Sequence, residues 1–359
     1  MKKNKILTIL GTRPEIIRLS CIIPKLDAAC EHYVLHTGQN YDNNLSELFF
    51  QELELRKPNK IIDSKSQSFG EQLGKIFIGV EQAINEFNPT KVLVLGDTNS
   101  GLSAFIVERF NIPVYHMEAG NRCNDLKVPE EKNRKVIDAI STYNLPYTEL
   151  SRQNLLREGV PNNKIAVTGN PIKEVINKYQ NKISHSSILA KLNLQPKDYV
   201  IVTAHRAENV DDDIRLKSIF AALQEIAKEY KVVFSCHPRT RDKIQKFNVN
   251  TDNIIVSEPF GFFDFVNLEQ NCFMAISDSG TVQEEMCLFK IPTVTIRDTT
   301  ERPETVWCGS NVISGLDKTN IIACFNRMKL SNRNWEIPVE YDRDNVSDVV
   351  VNMLLSTQG

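Results

Sequence analysis

Four apolar, strand-like runs in this sequence each end in an acid, a histidine or a glycine turn. They are residues 92–97 (VLVLGD), 114–120 (VYHMEAG), 199–205 (YVIVTAH) and 274–285 (MAISDSGTVQEE). In open parallel α/β sheets, the residues just past the carboxyl ends of the strands line the ligand crevice. The pattern therefore predicts acid–base chemistry on a phosphate-bearing ligand, with two carboxylates from the first half and a histidine and a glycine-turn helix from the second meeting at one cleft.

Length and composition limit the class of protein. A chain of 359 residues suits two α/β domains of about 150–180 residues each. Hydrophobic residues make up 41% and charged residues 25%, enough apolar material for two cores. The net charge of −2 and the lack of a long basic run argue against a nucleic-acid or anionic-membrane surface. No run approaches the roughly 18 apolar residues of a membrane helix.

The spacing of the eight cysteines bears on metal binding and on compartment. None forms a CxxC pair, and none has metal-ligand spacing with a histidine. Most lie in apolar surroundings, which is typical of core thiols in a reducing cytoplasm. The sequence therefore predicts a cytoplasmic protein without a metal site or a structural disulfide.

Short apolar segments alternate with segments of helical periodicity, which is typical of parallel βαβ units. Predicted strands of the first half are residues 6–10, 33–37, 91–95, 113–117, 143–147 and 165–168. Those of the second half are residues 199–203, 232–235, 254–256, 273–277 and 292–296. The fold class predicted is α/β, with two Rossmann-like, doubly wound domains that face a central cleft, a GT-B-like architecture.

A polar stretch at residues 173–187 loses the strand rhythm, and we place the domain junction there. The predicted domains are residues 1–172, which carry the candidate catalytic carboxylates, and residues 173–340, which are expected to bind the phosphate-bearing ligand. The amphipathic segment 341–359 is expected to pack back on the first domain.

Two glycine turns are candidates for binding phosphate. Arg13 in the run GTRPE follows the first strand and suits a diphosphate by bidentate contact, although the run also reads as a plain turn and helix start. Ser279 and Gly280 open a helix whose free N–H groups can bind an anion, although most Ser-Gly turns only cap helices. Glu285, further along that helix, could bind ribose hydroxyls, and Arg302 is a second candidate cation for binding phosphate.

Carboxylates and a histidine at strand ends are candidates for proton transfer. Asp97 could instead cap the following helix, and Glu130 and Glu131 could be first-turn acids that complement the helix dipole. Glu118, between an apolar strand and a glycine turn, has no such simple structural role. His205 could stabilise a leaving phosphate or relay a proton, and a core histidine is the alternative.

The motifs of two other enzyme classes are missing. No Gly-x-Gly-x-x-Gly follows the first strand, and no GxxxxGK[ST] occurs anywhere in the chain. Hydride transfer by a bound dinucleotide and hydrolysis of a nucleoside triphosphate therefore lose support.

Six motifs in order, GTRPE, GDTNS, MEAG, PEEKNR, SDSG…QEE and RDTTERPE, resemble those of the non-hydrolysing UDP-N-acetylglucosamine 2-epimerases over nearly the whole chain. The resemblance implies a GT-B-like fold, a UDP-sugar substrate and no metal or redox cofactor. It implies that UDP is eliminated to a 2-acetamidoglucal and re-added, which inverts C2 of a UDP-N-acetylhexosamine for bacterial surface polysaccharides. It further implies a homodimer without nucleic-acid or membrane partners.

The resemblance also assigns roles position by position. It places catalytic groups at Asp97, Glu118, Glu130 and His205. It places contacts with UDP at Arg13, Ser279, Gly280, Glu285 and Arg302.

The sequence departs from the family pattern at a few positions. Thr281 stands where a second glycine is common, and Ala207 stands where a second arginine or a glutamate is usual. In the early loop, Tyr41 and Asp42 replace residues with which regulated members bind their own substrate, so we expect turnover without an activating sugar nucleotide. The stretches HTGQNYD, IRLS, MEAGNRC and DNVS resemble instead a branch of the family. That branch epimerises a UDP-2-acetamido-2,6-dideoxy-L-talose, giving UDP-N-acetyl-L-fucosamine. A GT-B glycosyltransferase and a non-catalytic nucleotide-sugar sensor are the rival functions.

Overall fold

Two parallel β-sheets form the framework of the protein. The structure, a computed structural model, describes residues 4–39 and 43–356, and within these residues each sheet has six strands. The strands of the first sheet are β1 (Lys5–Leu10), β2 (Glu31–His36), β3 (Lys60–Ile61), β4 (Lys91–Leu95), β5 (Val114–Met117) and β6 (Tyr143–Leu145). Those of the second are β7 (Tyr199–Thr203), β8 (Lys231–Ser235), β9 (Ile254–Ser257), β10 (Met274–Ser277), β11 (Thr293–Thr295) and β12 (Asn311–Ile313).

Helices connect the strands. In the first half they are α1 (Arg13–Leu19), α2 (Ile22–Ala29), α3 (Asn43–Glu52), α4 (Phe69–Phe87), α5 (Asn99–Leu102), α6 (Ala104–Arg109), α7 (Pro129–Ile140), α8 (Glu149–Arg157) and α9 (Ile172–Ser184). The rest are α10 (Ile188–Lys191), α11 (Ala207–Val210), α12 (Asp213–Ile226), α13 (Pro238–Lys246), α14 (Phe262–Asn271), α15 (Gly280–Leu288), α16 (Pro303–Trp307), α17 (Lys318–Lys329) and α18 (Val346–Leu355). None of these described helices has both the length and the apolar composition that a membrane span requires.

Both sheets have the same doubly wound order. The first runs β3-β2-β1-β4-β5-β6, and the second runs β9-β8-β7-β10-β11-β12. This is the Rossmann order, in which the strand order reverses between the first and fourth strands and leaves a ligand crevice at their carboxyl ends. The crevice residues therefore follow β1 and β4 in one sheet and β7 and β10 in the other. The predicted fold class, two Rossmann-like doubly wound domains, is confirmed.

The chain divides into two compact units. One comprises Met1–Lys178 and Val339–Gly359, and the other comprises Tyr179–Pro338. Within the first unit, α18 packs against α2, and the Glu174 carboxylate accepts a hydrogen bond from the Ser347 amide at 2.8 Å.

The polar stretch read as a junction is a helix, α9. Its buried residues Val175, Ile176, Tyr179 and Ile183 recur at helical spacing, which its many lysines and asparagines mask in the sequence.

Three strand assignments need correction. Residues 165–168 are not a strand, because Ile165 forms only an isolated bridge with Asn144 before Gly169, at φ +90°, turns the chain. The short strands β3 and β12 were missed. Both lie at sheet edges and are only partly buried, so neither carries the apolar run that marks a central strand.

Candidate active site

The turn between β1 and α1 is tied to the turn after β4 by one buried carboxylate. Glu15 accepts hydrogen bonds from the amides of Gly11 at 2.5 Å and Thr12 at 2.9 Å. Its other oxygen accepts one from the Thr98 hydroxyl at 2.5 Å. Burial raises the pKa of Glu15 to about 7, against these three hydrogen bonds, which favour the ionised form. Glu15 thus fixes the two loops that carry Arg13 and Asp97.

Arg13 lies beside the ring of Phe49, with its Cζ 5.5 Å from the ring centroid. Burial lowers the pKa of Arg13, but an arginine starts so far above neutrality that it stays protonated. The planar guanidinium has the geometry to bind a phosphate or carboxylate through two N–H groups. Arg13 therefore places a fixed positive charge at the carboxyl end of β1.

Asp97 and Glu118 follow the neighbouring strands β4 and β5. A Cβ placed on Gly96 would lie 3.9 Å from Glu118 Oε2, so the Glu118 carboxylate lies beside the turn that carries Asp97. Glu118 has φ +64°, a left-handed conformation that is strained for a residue with a side chain. Such strain is concentrated at functional sites, where the surrounding structure enforces it. The Glu118 carboxylate has Arg18 Nη1 3.8 Å from Oε2 and accepts a hydrogen bond from Asn121 Nδ2 at 3.3 Å through Oε1.

Helix α7 holds Asp97 and the loop before the helix. Arg134 Nη2 lies 2.6 Å from Asp97 Oδ2, and Asn133 donates to the Asp97 carbonyl at 2.9 Å. Arg134 also contacts Glu131, whose buried carboxylate accepts hydrogen bonds from the Cys123 and Asn124 amides. Glu131 is thus a structural anchor. Its neighbour Glu130 lies half-buried in the first turn of α7, and its catalytic role stays a prediction.

A buried network supports the backbone on either side of Glu118. His116 Nε2 lies 2.8 Å from the Gly96 carbonyl, and its Nδ1 lies 2.9 Å from Asp138 Oδ1. Asp138 also accepts a hydrogen bond from the Gly120 amide at 3.1 Å. Although burial opposes ionisation, His116 and Arg122 hold the pKa of Asp138 below its usual range. The network joins the backbone of the Asp97 turn to that of the Glu118 turn.

In the second unit, the ends of β7 and β10 meet through Asp278. This fully buried carboxylate accepts hydrogen bonds from the amides of His205 and Arg206, both at 2.9 Å, and from Asn209 Nδ2 at 3.0 Å. His205 Nδ1 lies 3.3 Å from Asp278 Oδ1, and 43% of the His205 side chain remains exposed. Asp278 therefore orients an accessible imidazole at the second crevice.

The N-terminus of α15 and Arg302 form one candidate anion site. The N-cap residue Ser279 directs its hydroxyl toward Thr281 Oγ1 at 2.9 Å rather than toward a first-turn amide. A Cβ on Gly280 would lie 3.7 Å from Arg302 Cζ, so the guanidinium lies over the start of the helix. Arg302 contacts the buried Glu284 through Nε. A bound anion would meet the helix dipole and the guanidinium together.

The candidate residues fall into two groups at the crevices that the sheet order defines. Arg13, Asp97 and Glu118 follow β1, β4 and β5 of the first unit, while His205, Ser279 and Gly280 follow β7 and β10 of the second. Glu285 lies within α15 with an exposed fraction of 6%. The sequence reasoning gave no site role to Glu15, Asp278 or Arg134. Each of these residues belongs to one of the quoted motifs, so the sequence did point to them. A motif does not, however, distinguish a residue that supports the site from one that reacts.

Among residues 4–39 and 43–356, no group of three histidine, cysteine, aspartate or glutamate side chains could hold a metal ion. The early loop containing Tyr41 and Asp42 lies outside the described residues, so the expected lack of an activator site stays a prediction.

Two doubly wound sheets, each with polar side chains at its crevice, define the chain as a protein of the GT-B-like class. Residues 25–355 match the family model described as UDP-N-acetylglucosamine 2-epimerase. The chain belongs to the UDP-N-acetylglucosamine 2-epimerase family, as the motifs predicted, and is an isomerase.

The sequences of individual relatives align with this chain over nearly its full length. A UDP-N-acetylglucosamine 2-epimerase of Methanocaldococcus jannaschii is 41% identical over 348 residues, which cover 93% of this chain and 94% of that protein. A UDP-2,3-diacetamido-2,3-dideoxy-D-glucuronate 2-epimerase of Pseudomonas aeruginosa is 35% identical, with 89% and 90% covered. The crystal structure of the M. jannaschii enzyme in complex with UDP-GlcNAc and UDP superposes with a TM-score of 0.92 at 39% identity, covering 98% and 99%.

Proposed function

We propose that this protein interconverts UDP-N-acetylglucosamine and UDP-N-acetylmannosamine by inverting C2 of the sugar. The observation that carries the proposal is the pair of carboxylates at the crevice of the first unit. Asp97 is held by Arg134, and Glu118 is held in a left-handed conformation beside the Asp97 turn. Removing a proton from carbon and returning one to the opposite face requires two separate groups, and positioned carboxylates can serve as such groups.

The proposed reaction is an elimination followed by an addition. A base takes the C2 proton, the C2–H electron pair forms the C1=C2 bond, and the C1–O bond breaks with its electron pair leaving on UDP. UDP then attacks C1 of the glucal, and an acid delivers a proton to the other face of C2. In this proposal Asp97, Glu118 and Glu130 act at the sugar, and His205 assists the departing diphosphate.

Binding of UDP is assigned to Arg13 and to the start of α15. Departure of UDP places negative charge on the β-phosphate, and preorganised donors stabilise such charge most effectively. The α15 amides after Ser279 and Gly280, together with Arg302, present donors and positive charge in one place. Arg13 supplies a second guanidinium, and Glu285 binds the ribose.

Chromatography of reactions without any acceptor tests the function. Incubated with UDP-N-acetylglucosamine alone, the protein should give a mixture with UDP-N-acetylmannosamine, and the Asp97→Asn variant should give none. A glycosyltransferase would leave the sugar nucleotide unchanged without an acceptor, and a sensor would bind it without turnover. Either result would reject the proposal.

The identity of the sugar needs its own test, because relatives at similar identity carry names with different sugars. A panel should include UDP-N-acetylglucosamine, UDP-2,3-diacetamido-2,3-dideoxy-D-glucuronate and UDP-2-acetamido-2,6-dideoxy-L-talose. We expect the largest kcat/KM for the first. A clear preference for the talose derivative would assign the protein to L-fucosamine synthesis instead.

We further propose that the protein works as a cytoplasmic homodimer that supplies precursors of a surface polysaccharide. The resemblance of the six motifs to those of the family supports the homodimer. Light scattering on the purified protein should give twice the 40.9 kDa of one chain. A mass of 40.9 kDa that does not change with concentration would contradict the dimer.

A further inference from the structure

A second acid lies next to the glutamate assigned to the ribose. Glu269 on α14 has an exposed fraction of 0%, and Glu285 on the adjacent α15 has 6%. Within the described part of the chain, neither Glu269 oxygen accepts a hydrogen bond from an N–H or O–H group. The two carboxyl groups interact with each other directly. Neither the fold nor the proposed chemistry so far gives Glu269 a role.

Among the described residues, no cation forms an ion pair with Glu269. The other titratable groups near it are Tyr199 on β7, whose hydroxyl donates to the Leu268 carbonyl at 2.5 Å, and Cys272 at the end of α14. Lys197, the nearby cation, donates to the carbonyls of Gln270 and Cys272. A buried ionised carboxylate without a partner is strongly unfavourable.

Two adjacent buried carboxylates cannot both ionise easily, so one proton is retained by the pair. Burial, followed by the charge of Glu285, raises the pKa of Glu269 well above its usual range. A protonated Glu269 is an O–H donor, and Glu285 is the acceptor beside it. The pair then carries a single negative charge, on the carboxyl group that is the less buried of the two.

We propose that Glu269 is a positioning residue that, as the neutral acid, donates a hydrogen bond to Glu285 and holds the Glu285 carboxylate to accept the two ribose hydroxyls of UDP. The inference rests on the proposed binding of UDP to this unit. An ionised carboxylate has enough lone pairs to accept from both hydroxyls and from Glu269, and the hydrogen bond from Glu269 fixes its orientation. When Glu269 loses its proton, the two carboxylates repel each other instead of sharing a hydrogen bond. Glu285 is then no longer held in position to bind the ribose hydroxyls.

Calorimetric binding of UDP and 2′-deoxy-UDP to three proteins tests the inference. These are the wild type, Glu269→Gln, which keeps an N–H donor at every pH, and Glu269→Leu, which has none. Glu225→Gln, an exposed acid on α12, is the matched control. Thermal melts establish that each variant is folded.

We expect Glu269→Leu to bind UDP about tenfold more weakly, the loss of roughly one hydrogen bond to a charged group, while its affinity for 2′-deoxy-UDP, which keeps only the 3′-hydroxyl, falls less. The preference for UDP over 2′-deoxy-UDP should survive in Glu269→Gln and in the control. As the pH rises and Glu269 ionises, the wild type should lose affinity for UDP relative to Glu269→Gln, which keeps its N–H donor at every pH. If Glu269 has a purely structural role, its substitution should lower the affinity for both nucleotides equally. The pH profiles of affinity should then be parallel.

The outcomes separate the inference from the function on which it rests. If folded Glu269→Leu keeps the full preference for UDP over 2′-deoxy-UDP, or if the pH profiles coincide, Glu269 does not position Glu285. If Glu269→Leu does not fold, the pH profile of Glu269→Gln against the wild type decides alone. If the wild type binds neither nucleotide, the proposed function itself fails.

Discussion

Arg134 Nη2 lies 2.6 Å from Asp97 Oδ2, and the same guanidinium contacts the buried Glu131. The ion pair joins helix α7 to the end of β4 and fixes the carboxylate at the crevice of the first sheet. The asparagine and arginine of the run PEEKNR thus hold the aspartate of GDTNS in place.

We predict that Asp97→Asn abolishes turnover while the affinity for UDP stays within about tenfold, or roughly 1.4 kcal/mol. Asparagine has nearly the same shape, so the helix should remain in place, but it cannot take up or release a proton. Steady-state rates and calorimetry with UDP provide the measurement. Glu81→Gln, an exposed acid on α4, is the control and should behave as the wild type. Near-normal turnover in Asp97→Asn would remove this residue from the mechanism.

Glu118→Gln should also lose turnover and keep its affinity for UDP. The left-handed backbone at this residue directs the carboxyl group, and glutamine retains that geometry and the contact with Asn121. The capacity to exchange a proton is lost, together with the ion pair between the Glu118 carboxylate and Arg18. Single-turnover experiments with saturating sugar nucleotide check this prediction. A variant with weak binding but an unchanged chemical rate would show that Glu118 only binds substrate.

Glu15→Gln should change how stability depends on pH. The folded-state pKa of about 7 lies above the ordinary value of 4.5, so the folded protein binds more protons than the unfolded chain between these values. Stability from the protonated acid is complete below pH 4.5 and is lost as the pH rises to about 7. This loss in the free energy of unfolding is about 3 kcal/mol by the usual conversion of a pKa shift. The Glu15→Gln variant has no acid at this position, so it should not show this pH-dependent loss.

Urea unfolding of the wild type and of Glu15→Gln at several pH values measures this difference. Other groups titrate in the same range, so the difference between the two proteins isolates Glu15. The wild-type advantage should shrink as the pH rises, with Glu81→Gln again as the control. Parallel stability curves would show that burial does not raise the pKa of Glu15.

Arg302→Ala should weaken UDP binding by about 1.5–3 kcal/mol, the usual value of a charge-assisted hydrogen bond. Arg302→Lys should lie between this variant and the wild type, because lysine keeps a positive charge beside Glu284 but cannot bind in the bidentate mode. Arg327→Ala, an exposed cation on α17, is the control. Unchanged calorimetric affinity in folded Arg302→Ala would place Arg302 outside the nucleotide site.

The doubly wound fold could be predicted because its central strands are buried on both faces. Strands such as β4 and β7 are continuous apolar runs, and each ends in a turn residue. The edge strands β3 and β12 have only two and three residues, and they are specified by pairing with a neighbour rather than by their own sequence. Helix α9 was missed because its exposed face is so polar that the periodic buried residues do not stand out.

The strand-end positions of the site were predictable for the same reason as the fold, since parallel strands place their carboxyl ends together. The supporting residues were not. Asp278 and Glu15 act through backbone amides that come together only when the turns form. Glu269 is harder still, because its importance comes from lying opposite another acid on a different helix.

Proton NMR of the reaction in D2O tests the central claim most directly. The protein is incubated with UDP-N-acetylglucosamine, and the C2 position of the substrate and product is followed with time. Elimination and re-addition with proton delivery to the opposite face predict that UDP-N-acetylmannosamine appears with deuterium at C2, and that the Glu118→Gln variant shows neither. A UDP-N-acetylmannosamine product that keeps its original hydrogen at C2, or no product at all, would contradict the account.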